Sequence, residues 1–173
     1  MADGTFAALM FGLGLLDMSL NYCGDAGGCL ARSESRPMLA VSAGEIVRRR
    51  AMPAGEVYVR YEFGRRFGPF GNLAGVSLGE RGELWVGFGQ SYDIDLGGGP
   101  FFVRLHAMPG LYFPNGGFDL GGLVEFRSGV EVGYESAAGW RFGFGYDHRS
   151  NAGLFASNPG VETVHLRVSF PLE

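Results

Sequence analysis

The sequence predicts an all-β protein, a single eight-stranded antiparallel up-and-down transmembrane β-barrel occupying residues 1–173. Three observations lead to this fold class. Apolar and polar letters alternate with period two over segments of ten residues or more. Glycine is abundant, 31 of 173 residues, and aromatic residues make up 14% against 18% charged. The connections between the alternating segments are short and long in turn. Strands of five or six residues are usual, whereas about ten residues is what a tilted strand needs to cross a bilayer.

Composition narrows the alternatives. The glycines follow no three-residue period, so a collagen helix is excluded. A net charge of −4 with this aromatic content excludes a disordered chain. All 14 basic residues are arginine, and Arg48-Arg49-Arg50 is the one basic run; that is not the footprint of a nucleic-acid partner. The longest apolar stretch, Thr5 to Leu16, is about twelve residues, short of the roughly 20 that a spanning helix requires.

Taken in order, the strands are expected at roughly 5–20, 55–64, 71–80, 83–95, 100–111, 122–134, 140–150 and 161–172. The first is assigned to the apolar run after Asp3. No basic segment precedes it. Two readings follow: a cytoplasmic protein with an apolar first strand, or a mature exported chain with Met1 replacing a removed signal, which the barrel pattern favours. Residues 22–53 then form the first exterior loop, within which Pro37–Val41 is compatible with a strand extension and Gly44–Arg50 with a short helix. Cys23 and Cys29 flank a Gly-rich turn. They suit one disulfide in an oxidising compartment, or two free thiols; a metal would need more ligands.

The later strands are the clearest. Leu84, Val86, Phe88, Tyr92 and Ile94 alternate with Trp85, Gly87, Gly89, Ser91, Asp93 and Asp95. Val124, Phe126, Val130, Val132 and Tyr134 alternate with Glu125, Arg127, Gly129, Glu131 and Gly133. Trp140, Phe142, Phe144 and Tyr146 alternate with Arg141, Gly143, Gly145 and Asp147. Val164, Leu166, Val168 and Phe170 alternate with Thr163, His165, Arg167 and Ser169. In a soluble sandwich or lipocalin-like barrel the apolar face would be the core. Here the polar face pairs opposite charges with glycine, as a narrow lumen packed with salt bridges would. Arg60, Arg104, Glu125, Arg127, Glu131, Arg141, Asp147 and Arg167 are therefore expected inward and the aromatics toward lipid. Eight strands close a barrel filled by its own side chains, so no pore is expected. An even count puts both termini on the periplasmic side.

His106 and His165 fall on lumen positions, where hydrogen bonding to neighbours accounts for them. Asp93, Asp95 and Glu83 share that face, but pairing with Arg60 or Arg104 explains them better than a cation. No metal and no cofactor is expected.

The end of the seventh strand breaks its own pattern, because outward aromatics give way to outward His148 and Ser150. Residues i and i+2 share a face about 7 Å apart. Across the loop the eighth strand opens with Glu162, in phase with outward Val164. A nucleophile, a base and a carboxylate to orient the base thus converge at one outer end, the constellation used for acyl transfer. An interfacial rim of polar residues among lipid head groups is the competing account, although a carboxylate on a lipid-facing strand is costly.

The run Gly145-Tyr146-Asp147-His148-Arg149-Ser150-Asn151-Ala152-Gly153, followed by Asn158-Pro159-Gly160-Val161-Glu162-Thr163, resembles the lipid A 3-O-deacylase family of acyloxyacyl-hydrolase-like outer-membrane enzymes. Asp119 to Gly129 is similar to the same family. The resemblance is close over 119–172 and looser over 55–118. It implies an outer-membrane serine esterase that removes the ester-linked 3-position acyl chain of lipid A, with lipopolysaccharide and membrane lipids as its partners. Carried over by motif, Ser150 is the nucleophile, His148 the general base and Glu162 its orienting acid. Asn151, together with the Gly153 amide, is expected to form the oxyanion hole. Two other readings remain open. One is a structural or adhesive outer-membrane barrel without hydrolysis; the other is a soluble ligand-binding barrel, which would purify without detergent.

Overall fold

A computed structural model describes residues 4–25, 27–48 and 52–173. Among these the chain forms one helix, α1 (Thr5–Asn21), and nine strands: β1 (Arg32–Glu34), β2 (Met38–Val47), β3 (Ala54–Phe67), β4 (Phe70–Gly79), β5 (Leu84–Asp95), β6 (Phe101–Phe113), β7 (Val124–Glu135), β8 (Arg141–Ser150) and β9 (Val161–Pro171). Strands β2 to β9 pair antiparallel with their neighbours. β2 joins β9 as well as β3, which closes an eight-stranded barrel; β1 adds three residues beside the far end of β3. Arg48 and residues 52–53, with the loops 80–83, 114–123 and 151–160, gather at one end. The turns 68–69, 96–100 and 136–140 lie at the other, where the Leu172 amide donates to the Pro37 carbonyl and so brings both barrel termini together.

The fold class and strand count match the expectation, but the first strand does not. Residues 5–21 are helical, and the first barrel strand is Met38–Val47. The physical reason lies in the letters: Phe6 to Leu16 shows no period of two and is rich in Ala, Leu and Met, which favour helices. In β2 the inward Met38, Ala40, Ser42 and Ile46 are buried, while Leu39, Val41, Ala43 and Val47 look outward. Because β2 runs to Val47, the short helix expected over 44–50 is absent from 44–48; Arg49 and Arg50 lie outside the described residues. Cys23 and Cys29 are bonded, but the expected position in an exterior loop is overturned. The bridge precedes β2 at the turn end, with the Cys29 carbonyl packed on Gly68 between β3 and β4.

All eight side chains expected inward face the lumen. Arg127 bridges Glu56 at 2.9 Å and Asp147 at 2.7 Å; Arg60 bridges Glu62 at 2.8 Å and Glu131 at 3.2 Å. Arg104 holds Glu62 and, at 2.6 Å, Asp93; Arg149 closes on Glu56. Asp93 is thus an ion-pair partner, and Glu83 instead accepts from the Arg81 and Phe118 amides at the opposite end. His106 and His165 flank Asp147 inside the barrel. The inward glycines make room for these long side chains: a Cβ at Gly129 would lie 2.2 Å from Asp147, and one at Gly145 would lie 2.2 Å from His165. Toward the loop end the lumen changes character. Trp85, Tyr112, Phe118, Leu120, Met108 and Ile46 form a buried apolar plug. Outside, Phe88, Phe101, Phe142, Phe144 and Leu166 are exposed, as lipid-facing residues of an isolated barrel must be.

Among the described residues no helix is long and apolar enough to cross a membrane. α1 lies instead against the outer wall, over β5, β6 and β7. Phe6 meets Tyr146 edge-on at 5.8 Å and Phe11 reaches Phe70 at 6.2 Å, so the helix descends from the loop end toward the turn end. Outward-facing Phe70 and Leu105 are buried.

Candidate active site

Strands β8 and β9 carry the site at the loop end. Their register sets His148 directly opposite Glu162. His148 Nδ1 and Glu162 Oε1 are 3.0 Å apart, a hydrogen bond that fixes the ring with Nε2 turned away from the carboxylate. Ser150 follows two residues along the same face, opposite Phe126, while His148 is opposite Ser128 of β7. His148 Nε2 is buried and has no hydrogen-bond partner among the described residues.

Although His148 and Ser150 point out of the barrel, they are only 4% and 8% exposed. The cover comes from two directions. The 151–160 loop folds back so that Gly160, in the left-handed region at φ 60°, abuts the His148 ring; a Cβ there would lie 3.2 Å from the ring. On the other side a groove of about 660 Å³ separates the start of α1 from β6 and β7. His148, Ser128 and Ser150 lie on its wall, together with Ala152, Gly153 and Asn158 of the loop.

The loop is held by two asparagines. The Asn151 carboxamide nitrogen donates to the carbonyls of Leu120, at 3.0 Å, and Ser157, at 2.7 Å; its oxygen accepts from the Gly153 amide at 3.0 Å. Asn158 Oδ1 accepts from the Asn151 amide at 3.0 Å. Ala152 and Gly153 are both left-handed, at φ 54° and 77°, a conformation uncommon for a non-glycine residue and found where a chain is held for function. Both Asn151 side-chain N–H groups and the Gly153 N–H are engaged within the loop, which these bonds hold against the site.

The structure thus places Ser150, His148 and Gly153 on one groove, with Glu162 bonded behind His148 and Asn151 in the loop that covers it. Sequence reasoning missed the contribution of α1, whose Gly4, Ala7 and Phe11 face the same groove. The signal was present in the unbroken apolar run, which does not alternate. It also gave Asn158 no role, although this side chain ties the loop shut.

Residues 54–171 match the model of a family described as lipid A 3-O-deacylase (PagL). No curated protein matches. Among solved structures, the crystal structure of the outer membrane enzyme PagL superposes with a TM-score of 0.58 at 20% identity, covering 78% of this chain and 99% of that one. Neisserial surface protein A superposes at 0.55 with 12% identity, covering 82% and 99%. De novo designed transmembrane β-barrels superpose at 0.60 with 8% identity, covering 81% and 98%. At these identities the likeness is one of fold, that of outer-membrane barrels.

Proposed function

The chain belongs to the lipid A 3-O-deacylase (PagL) family, and from that premise we propose that it is an outer-membrane esterase which hydrolyses the ester-linked 3-position acyl chain of lipid A through Ser150, His148 and Glu162. The observation that carries the reading is the Nδ1-to-carboxylate bond between His148 and Glu162 beside a serine, on the wall of a lipid-side groove. With Nδ1–H donated to Glu162, Nε2 holds the lone pair and can take the Ser150 proton. Ser150 Oγ then bonds to the acyl carbon, the carbon–oxygen bond to the sugar breaks, and the proton on Nε2 passes to the departing hydroxyl. A water molecule reverses the roles: it gives a proton to Nε2 and attacks the acyl carbon, the bond to Ser150 Oγ breaks to release the fatty acid, and Nε2 returns the proton to Ser150. Glu162 keeps the ring oriented and stabilises the imidazolium in both halves. Asn151 and Asn158 keep the loop closed over the histidine.

The placement of the site also supports the reading. Lipopolysaccharide resides in the outer leaflet, and with the loop end outward the serine lies on the outer half of the barrel wall, at its loop end. The outward orientation lets a membrane-embedded substrate approach sideways, without passing through the lumen.

The test is lipid A deacylation by the purified protein, followed by mass spectrometry. Loss of one 3-hydroxy acyl group with the unaltered chain, and none with Ser150→Ala or His148→Ala, is the expected result. Equal activity in Ser150→Ala would overturn the serine mechanism, and no activity in the unaltered chain would leave a barrel of structural or adhesive role.

A further inference from the structure

We propose that α1 is the lipid-side wall of an acyl-chain channel, and that its first two turns select which chain lengths reach Ser150. The identity of the ligand, the single unbranched acyl chain of an ester lipid, rests on the esterase reading above; the wall itself does not. α1 lies outside the 54–171 segment that the family model matches.

The helix is built to stay in hydrocarbon against the barrel. Its inner seam is Phe6, Ala7, Met10, Gly14 and Met18, at helical spacing, with Met10 and Gly14 buried. Its opposite face is equally apolar: Leu9, Leu13, Leu16 and Leu20 are exposed. Asp17 in the last turn, held by Asn21 at 2.6 Å, is the helix's one charge, and the apolar faces of the preceding turns are stable only against apolar surroundings. Its 17 residues span roughly 26 Å at the usual rise, close to the height of a barrel's apolar band. The outward leucines therefore meet lipid while the seam grips the wall.

Contact along the seam is incomplete at the loop end. Gly4 and Ala7 are small, and between them and Ala107, Pro109 and Phe126 the groove of about 660 Å³ stays open. The unpartnered Nε2 of buried His148 belongs to a side chain lining this groove. Phe11, two turns along from Gly4, lines the same groove with its ring 6.2 Å from that of Phe70 and stands across the line of the helix. From Gly4 to Phe11 is about 10 Å along the helix axis. An acyl chain whose carbonyl sits at Ser150 thus runs between α1 and β6–β7 until Phe11 stops it. Without α1 the same surface would be a trench open to every neighbouring phospholipid chain. The helix turns it into a slot that a chain must enter along its length.

Two substitutions in the full chain test the selection. Ala7→Phe narrows the slot, and Phe11→Ala lengthens it. Over a graded series of saturated ester lipids, Ala7→Phe should lower kcat/KM for the longest chains by about tenfold relative to the shortest, the scale on which hydrophobic pockets discriminate methylenes. Phe11→Ala should shift the preferred length upward. An unchanged length profile in both variants would overturn the proposal. A second measurement does not depend on turnover: photo-crosslinking of a fatty acyl ester with a diazirine at its tail, in Ser150→Ala and in the unaltered chain. Label concentrated on residues 4–11 and on Pro109 and Phe126 supports the channel; label spread evenly to Val86 and Leu166 overturns it. Should no lipid be hydrolysed at all, the esterase reading fails and the crosslinking still decides the channel.

Discussion

Gly14 of α1 rests so close to the ring of Phe70 on β4 that a Cβ at that position would fall 2.4 Å from a ring carbon. Helix and barrel touch here with nothing but hydrogen between them, and the contact anchors the lower half of α1. Gly14→Leu is therefore expected to lift this part of the helix while leaving strand pairing intact. Overpacking of this kind costs about 1–3 kcal/mol, so amides of α1 should exchange at least fivefold faster in hydrogen-exchange measurements, with the β2–β9 amides unchanged.

Removing members of the proposed triad should have unequal effects. Ser150→Ala and His148→Ala should each nearly abolish acyl release, and the double variant should be no worse than either, because the two act as a unit. Glu162→Gln should retain roughly 10- to 100-fold more activity than Ser150→Ala, since the orienting acid is the least essential of such groups. Initial rates on purified lipid A check the ranking.

Asn151→Ala removes the donors to Leu120 and Ser157 and the acceptor for Gly153. Leaving such buried groups unpaired costs about 1–3 kcal/mol. The expected outcome is a 10- to 100-fold loss of activity on that scale with the unfolding midpoint of the barrel little changed, because the loop lies outside the strand network. A drop in the midpoint as large as that of a lumen variant would contradict it.

In the lumen, Arg127→Ala strands Glu56 and Asp147, both buried, without one of their cationic partners. Breaking one side of a buried ion-pair network is destabilising by about 3–5 kcal/mol. Urea unfolding in detergent should show this loss, and the heat-dependent gel shift of a folded barrel should move to lower temperature.

Thiol labelling of denatured, unreduced protein from its native compartment should find neither Cys23 nor Cys29 free, given their bond. Reduction should alter exchange only around residues 22–34 and at the 68–69 turn, not in the loops beside Ser150.

How much of this was legible depended on whether the two faces of a segment differ. In β8 and β9 one face is aromatic or branched and the other charged or glycine, so the strands and the placing of His148 opposite Glu162 are legible in the letters. In β2 the inward Ala40, Ser42 and Gly44 are as small as the outward Ala43, and contrast between faces is lost; the strand was absorbed into a loop. The run after Gly4 is apolar enough to pass for a first strand, but Leu9, Met10 and Phe11 stand consecutively and cannot alternate. Because that run is a helix running down the outer wall, the disulfide that follows it falls at the turn end. The engaged state of the Asn151 carboxamide depends on carbonyls of Leu120 and Ser157, which no local pattern announces.

The plug of Trp85, Tyr112, Phe118 and Leu120 has a bearing on supply. With apolar side chains filling the lumen beneath the loops, the acyl-enzyme of the mechanism proposed above would draw its water from the aqueous surface around the 151–160 loop. Hydration of that surface, and any small alcohol dissolved there, would then compete directly for the acyl group. Turnover by the proposed triad would then be a property of the interface as much as of the three side chains.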